Sequence, residues 1–522
     1  MNYLKVSKAI ELSGRDKTFY RLLEILPGFL SVGTLLALVI LSYFKPVWVA
    51  YFVIAFDVYY LLWVVFFATY LIIAYKKLKE NKEIDWFKKC EELSDNLKDL
   101  PENCLARQGF KWSDVIHLII LPTYNESLEV IRTSFSGLIS NGYPSKDMIV
   151  VLAMEDRVGE SAHVKAEIIK KEFGDCFRNL LITFHPDNIP GELKGKGANQ
   201  AYAGKIVKQE IIDKEGLDYN KILVSVFDID TAATFNYFFC LTYRFLTVES
   251  PYRASYQPIP VYHNNIWHTP FFARVSSSSN SFWQMMQQIR PEKLATYSSH
   301  SMTFKALAEI GFWAPNMVSE DSRIFWHCFL YYNGDYRVEP LYFPVSMDAT
   351  CDKNFWQTMK SLYKQQRRWA WGSENVPYLI FNYSKKRKEM KTWPSLRHIW
   401  IQIYGFHSWA TTALIIGVVG WLPMLLGGDR FNGTVMALNL PDITSQLMTI
   451  SMAGMFISAI ISTLLLPKRP KNYGLIGNAK LFLEWFCIPF CVIFFGAIPC
   501  LEAQIRLMLG KYMGFWVTPK ER

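Results

Sequence analysis

Asp228-Ile229-Asp230 closes an apolar run, KILVSVFDID, at 221–230. Read as a strand end, positions i and i+2 share one side, which sets two carboxylates together with no basic residue nearby. Such a pair is costly unless a cation neutralises it. Hard divalent cations take carboxylate oxygens and keep positions open for phosphate oxygens. DID therefore reads as a Mg2+ or Mn2+ site for a diphosphate, although a solvated turn would look the same in isolation. GELKGKGANQAY at 191–202 places glycines and lysines ahead of a helix. Backbone N–H groups at a helix start, with lysine charge, suit a phosphate; neither the P-loop nor the dinucleotide fingerprint is present. In SEDSRIFW, 319–326, Ser319 reads as an N-cap, and Glu320 and Asp321 open a helix. The preceding stretch, 297–313, reads as strand, helix and turn, and either presents His300 and Lys305 to the site or packs them. KQQRRWAWG, 364–372, joins an arginine pair to two tryptophans. Arginine offers a fork of donors matched to phosphate. Gln365, Gln366, Arg367 and Arg368 in series make no clean apolar face for a membrane-surface helix.

These residues need a scaffold. VIHLIILPTYNE (115–126), MIVVLAMED (148–156), LLITFHP and KILVSVFDID read as apolar strands, with helical spacing at 131–139 and 161–174 between them. This βαβαβ alternation predicts a parallel sheet covered by helices on both faces. Ligands bind beyond the carboxyl ends of such strands. Thr123 and Glu126, then Glu155 and Asp156, then Asp228 and Asp230, follow three of those ends. The region 250–395 is mixed and rich in aromatics, and its insert at 251–275 carries no assigned chemistry.

The 522 residues are 51% hydrophobic and only 20% charged, and the two kinds are segregated. Runs at 25–44, 47–75, 400–426, 447–466 and 481–499 are each long and apolar enough to sit in a bilayer. Three units follow: 1–79 with two transmembrane helices, a soluble unit at 80–395, and 396–522 with further membrane segments. Lys5, Lys8, Arg15, Lys17 and Arg21 flank the first run, Lys76, Lys77 and Lys79 the second, Lys385, Lys386, Arg387, Lys388 and Lys391 the third, and Lys468, Arg469 and Lys471 the fourth. The positive-inside rule makes these flanks and the soluble unit cytoplasmic, in a multi-pass cell-membrane protein. The net charge of +10 is thus mostly membrane-flank charge, and no basic–aromatic stripe points to nucleic acid. Nine cysteines without a CxxC pair fit a reduced compartment. One conflict stands: Arg506, Lys511, Lys520 and Arg522 are also basic, yet five full crossings would put them outside. Pro489 and Pro499 could instead break the last run into a re-entrant element.

Taken in order, LPTYNE, ED at a strand end, KGKGANQA, DID, SED and QQRRW resemble the membrane-embedded family-2 glycosyltransferases, which include cellulose, hyaluronan and chitin synthases. The likeness spans about 115–372 and the membrane flanks. It implies an α/β GT-A (Rossmann-like) domain joined to a helical transmembrane bundle. The implied activity is hexosyl transfer from a nucleotide-diphosphate sugar, usually UDP-linked, to a growing polysaccharide, by one metal-dependent inverting displacement. By the same resemblance, Thr123 and Glu126 line the nucleotide pocket, and Asp156, or Glu155 in its place, meets the base or ribose. Lys196 sits at the pyrophosphate. Asp228 and Asp230 hold the metal and diphosphate. Asp321, beside Glu320, is the general base, and Gln365, Arg368 and Trp369 lie at the acceptor–diphosphate junction. The end of the chain, FWVTPKER, resembles the F-x-V-T-x-K loop of the polymer synthases, with Phe515, Val517, Thr518 and Lys520 matching a gate over the nucleotide. Implied partners are the sugar donor, a glycan or lipid acceptor, the bilayer and accessory export subunits. Ceramide glucosyltransferases resemble the same motif set, so transfer of one sugar to a membrane lipid is the alternative. A transporter or inactive scaffold would lack some of the acids, and none is missing.

Overall fold

The structure is a computed structural model that describes residues 3–467, 481 and 483–520. Lys468, Arg469, Lys471 and Arg522, invoked above as basic flanks, lie outside the described residues. Two long helices open the chain, α1 (Gly14–Phe44) and α2 (Pro46–Glu83). Pro46 fixes the break between them: it cannot continue α1 and starts α2 at the one place where a missing N–H costs nothing.

The α/β domain follows. β1 (Ile116–Pro122), α3 (Leu128–Ser140), β2 (Met148–Glu155), α4 (Glu160–Phe173), β3 (Asn179–His185), α5 (Lys196–Val207) and β4 (Ile222–Val226) form the expected alternation. β1, β2 and β4 are buried along nearly their whole length, as strands covered on both faces must be. The sheet then turns mixed. β5 (Ala232–Ala233), β6 (Ala254–Val261), β7 (Ser301–Thr303) and β8 (Arg337–Ser346) complete eight strands in the order β3-β2-β1-β4-β7-β6-β8-β5. β7 runs antiparallel to both β4 and β6, while β6 and β8 pair in parallel. Helices α6 (Phe271–Ile289), α7 (Glu320–Tyr331) and α8 (Phe355–Ala370) carry the second half of the site and contacts to the long apolar helices.

The C-terminal third contains α9 (Thr392–Gly417), α10 (Val435–Leu465) and α11 (Ile498–Met508). Among the described residues, four helices are long and apolar enough to cross a membrane, Gly14–Phe44, Pro46–Glu83, Val435–Leu465 and Glu484–Met508, and α9 with the helical stretch Val419–Leu426 forms a further pair bent by 42°. Each of the five apolar runs is thus mostly helical over its described residues. The last is not one regular helix: it passes from a 3-10 turn at Glu484–Cys487 through a π-type turn at Ile493–Ala497 into α11. Pro489 and Pro499 account for the interruptions, since each removes a helical donor.

Candidate active site

Strand register gathers the site. Pro122 lies opposite Ala153, Glu155 opposite His185, and Ile120 opposite Val226. Thr123, Glu155 and Asp228 therefore follow neighbouring strand ends at one edge, where a parallel sheet leaves its crevice. The antiparallel β7 delivers residues 296–300 to the same edge, with the Val226 N–H donating to the His300 carbonyl at 3.1 Å.

Lys196, the first residue of α5, is the centre. Its Nζ lies 2.6 Å from Asp228 Oδ1, 2.8 Å from both carboxylate oxygens of Asp321 and 3.9 Å from Glu320 Oε1. The second oxygen of Asp228 accepts from Ser298 Oγ at 2.6 Å. Asp230 is fully buried, ion-paired with Lys520 and accepting from the Asp348 N–H at 2.9 Å.

Two expectations change here. Asp228 and Asp230 stand in a turn beyond β4, closed by the Thr231 N–H on the Asp228 carbonyl at 2.7 Å, so strand alternation is not what relates them. Nor do they lack basic neighbours: Lys196 and Lys520, both remote in sequence, neutralise them. For a divalent metal the donor chemistry fits, two hard carboxylates side by side. Their oxygens are engaged by lysines, Ser298 and a backbone N–H, so a metal could take both only with Lys520 withdrawn. Among the described residues no group of three or more His, Cys, Asp or Glu is set to hold a metal.

Burial alone would push the Asp228 carboxyl up. The ammonium groups of Lys196 and Lys520 reverse this and hold it well below the usual carboxylate range. Burial would likewise favour a neutral Lys196, but Asp228, Asp321 and Glu320 keep its ammonium firmly charged. Glu320 is pushed up to about 8, first by burial and then by the charge of Asp321, and its Oε1 has no hydrogen-bond partner. A carboxyl whose folded value exceeds its unfolded value near 4.5 keeps a proton that the unfolded chain has lost. Its contribution to stability thus declines as pH rises from about 4.5 to about 8. Glu320→Gln is expected to flatten that decline by about 1–3 kcal/mol in thermal unfolding across pH 5–8; an unchanged slope would place the proton elsewhere.

The α7 start is held from behind. Ser319 stands at the N-cap position but makes no side-chain capping bond; its N–H and Oγ donate to Glu374 Oε1 at 3.2 and 2.5 Å, and Glu374 Oε2 accepts from Trp371 Nε1 at 2.9 Å. Thr296 Oγ1 donates to the Asp321 carbonyl at 2.6 Å. Trp371, without a part in the sequence reading, thus positions the acid pair through Glu374, which sequence reasoning missed. His300 is buried beside the cluster, and burial lowers its pKa while Asp321 pulls it back. Lys305 turns away, to Asn220 Oδ1 at 3.2 Å.

From α8, Gln365 accepts from Thr350 Oγ1 at 2.7 Å. Trp369 packs beside Tyr262 and Met347. The Arg368 guanidinium lies 4.8 Å above the Phe515 ring, with its Nε buried and unpartnered. The C-terminal tail therefore enters the cleft: Thr518 is buried, Val517 half-buried, and Lys520 bridges to Cys351 as well as Asp230. Phe515 reaches its place over Gly195, where a Cβ would lie 2.6 Å from the ring and where φ is +153°. Gly195→Ala is expected to impose about 1–3 kcal/mol of backbone strain and collision, loosen the tail and speed tryptic cleavage within it; an unchanged cleavage rate would count against the docked position.

Thr123 is buried, its N–H on the Ala153 carbonyl at 2.8 Å. Glu126 accepts from the Tyr124 N–H at 2.8 Å, and burial raises its carboxyl pKa against the opposing charge of Lys520. At the β2 end the two acids differ in setting. Glu155 is buried against Arg157 Nε at 2.5 Å and lines a cavity of about 250 Å3 with His185, Glu192 and Lys194, whereas the exposed Asp156 lies 3.3 Å from His163. Glu155 closes β2 whereas Asp156 opens the 3-10 turn Asp156–Val158, which turns its side chain to solvent.

No family model and no curated relative matches the chain. Similar solved structures include the mannosyltransferase PcManGT of Pyrobaculum calidifontis in complex with GDP-Man and Mn2+, at 12% identity and a TM-score of 0.37, covering 79% of this chain and 99% of that one. Another is S. aureus TarS 1-349 in complex with UDP-GlcNAc, at 11% identity and a TM-score of 0.30, covering 67% and 91%. At these scores the likeness is too remote to assign a family or an activity.

Proposed function

We propose that the chain is a membrane glycosyltransferase moving a sugar from a nucleotide-diphosphate sugar, UDP-linked, to a growing polysaccharide, with the unit 80–395 on the cytoplasmic side. One observation carries this reading. Asp228 and Asp321, from separate motifs, converge on Lys196 Nζ at 2.6 and 2.8 Å, at the carboxyl edge of the parallel strands. A base, an anion-binding ammonium and a second carboxylate are the parts that displacement of a diphosphate requires.

In this reading Asp321 removes the proton of the acceptor hydroxyl as its oxygen attacks the anomeric carbon. The bond from that carbon to the diphosphate oxygen breaks on the opposite face, and its electron pair leaves with the diphosphate. Configuration inverts in one step. Lys196 offers its charge to the departing diphosphate, as does Arg368, whose Nε awaits an acceptor. Asp228 and Asp230 would hold Mg2+ or Mn2+ after Lys520 withdraws, and the metal, when bound, neutralises diphosphate charge. Thr123, Glu126 and the Glu155 cavity receive the nucleoside. Gln365 and Trp369 meet the acceptor, and Phe515, Val517, Thr518 and Lys520 close over the donor.

The test is a panel of radiolabelled nucleotide sugars with the full chain in detergent, plus Mg2+ or Mn2+. Consumption of one donor is expected, and no turnover of any despite binding would overturn the reading. Product size separates polymer from a singly glycosylated lipid.

A further inference from the structure

Arg21, Glu24, Gly28 and Ser31 stand at i, i+3, i+7 and i+10 and so share one face of α1. In an apolar helix such a row of polar and small residues marks a close neighbour. The neighbour is α11. A Cβ on Gly28 would lie 2.7 Å from the Gln504 carbonyl oxygen, and Ser31 Oγ donates to Gln504 Oε1 at 2.7 Å. Toward the start of α1, the Arg21 guanidinium donates to the Leu507 and Met508 carbonyls at 2.9 and 2.5 Å. These carbonyls close α11, where a cation meets the negative end of the helix dipole. The tail then leaves at Gly510, whose φ of +69° suits glycine.

Glu24 is only 1% exposed. It accepts from Arg21 Nη1 at 2.7 Å, from the Ala9 N–H at 3.0 Å and from the Tyr512 hydroxyl at 2.9 Å. A buried carboxylate persists only with such partners. Here they come from separate pieces of chain: α1 itself, residues 3–12 ahead of it, and the root of the C-terminal tail. Residues 3–12 are tied down along the same place. The Leu4 carbonyl accepts from Tyr378 at 3.0 Å and the Ser7 carbonyl from Tyr20 at 3.3 Å, while Ser7 Oγ donates to Asn316 Oδ1 at 2.8 Å. Asn316 stands in the loop that leads to Ser319. Beside it the Pro315 carbonyl accepts from the Leu193 N–H at 2.8 Å, in the loop that leads to Gly195 and Lys196. Tyr512 and Phe515 pack with Leu193, Val318 and Trp371 in one apolar cluster. The start of the chain thus meets the tail root and a loop of the cleft at one place.

We propose that Glu24 is a positioning residue for the C-terminal tail, and that residues 3–12 form a strap that registers the tail root against the loop carrying Glu320 and Asp321. Tyr512 is the fixed end, and Phe515, Thr518 and Lys520 lie beyond it. Displacing the strap takes the Ala9 N–H from Glu24 and frees the root, so the tail lifts from Asp230 with the acids of the cleft unchanged. The N-terminal segment is thereby a control point for access to Asp230. This role rests on the docked position of the tail and stands apart from sugar transfer.

The test follows the tail directly, in the full chain in detergent with neither donor nor metal added. Thr518 is buried, so the thiol of Thr518→Cys meets a maleimide only when the tail lifts, and labelling is scored by mass spectrometry of the peptides. Added to that reporter, Ala9→Pro removes one N–H at the first residue of a 3-10 turn, a position that proline tolerates, and Tyr512→Phe removes one hydroxyl. Each is expected to speed labelling at position 518 by about 10-fold, the scale of a hydrogen bond to a charged acceptor. Ala9→Gly, which keeps the N–H, is expected to label as slowly as the reporter alone. Cys240 and Cys328, buried in the α/β core, are expected to stay unlabelled throughout. Unchanged labelling in Tyr512→Phe overturns the role of Glu24, and unchanged labelling in Ala9→Pro overturns the strap. Labelling of Cys240 or Cys328 alongside position 518 means general loosening and overturns both. If Ala9→Pro does not fold, Asn316→Ala, which releases Ser7 and the Lys5 carbonyl, takes its place with the same results expected and excluded. Rapid labelling of the reporter alone overturns the docked tail, whereas a failed donor panel leaves these rates untouched.

Discussion

Asp321→Asn is expected to lower turnover by about 10^2–10^4-fold, the usual worth of a positioned general base, while nucleotide-sugar affinity changes no more than a few-fold. The substitution is close to isosteric, and the backbone that carries it is held independently by Thr296 on the Asp321 carbonyl and by Glu374 on Ser319. Lys196 keeps Asp228 at 2.6 Å as its partner, so the donor side of the site persists. What the amide loses is the ability to take a proton. Single-turnover rates with calorimetric nucleotide binding make the comparison. Retained turnover would move the base to Glu320 or His300, both buried beside Asp321.

The parallel half of the sheet was legible because its strands are buried on both faces and so read as unbroken apolar runs. The mixed half was legible only in part: 297–313 read as strand, helix and turn, and β7 at Ser301–Thr303 leads into a helix at Phe304–Ile310, whereas β5, only Ala232–Ala233, is too short to leave a periodic signal. Motif order placed Asp228, Asp321, Gln365 and Arg368 in one site; of these, Asp228 and Asp321 meet on Lys196 Nζ, while Gln365 pairs with Thr350 and Arg368 lies over Phe515. Charge pairing stayed hidden, since Lys196 and Lys520 meet the DID carboxylates only through tertiary contact. The choice between Glu155 and Asp156 turns on which of them is buried where β2 ends, with Glu155 opposite His185 of β3, which no single sequence displays. Glu374 shows the limit most plainly: a glutamate after WAWG reads as an ordinary helix-start acid, and its work on Ser319 and Trp371 exists only in three dimensions.

Lys196→Met is expected to cost about 3–5 kcal/mol of stability at neutral pH, the scale for removing one partner of a buried ion pair. The reason is the company Lys196 keeps. Its ammonium is largely buried and faces Asp228, Asp321 and Glu320 together. Without it, Lys520 is the cation left to offset burial at Asp228, and Arg368 at Glu320. The pH dependence identifies the cause. Asp228 is held below the usual carboxylate range in the folded protein, so its contribution is present above the unfolded value near 3.9 and is lost as pH falls through the lower folded value. In the variant, burial raises Asp228 and Glu320, so the folded state gains stability by binding protons as the solution is acidified. The gap between parent and variant is therefore full at pH 7 and closes toward pH 4. Thermal unfolding midpoints of both proteins between pH 4 and 8 make the measurement. A gap that stayed constant over that range would assign the loss to packing of the lysine stem rather than to charge, and would weaken the case for Lys196 as the cation that a departing diphosphate meets.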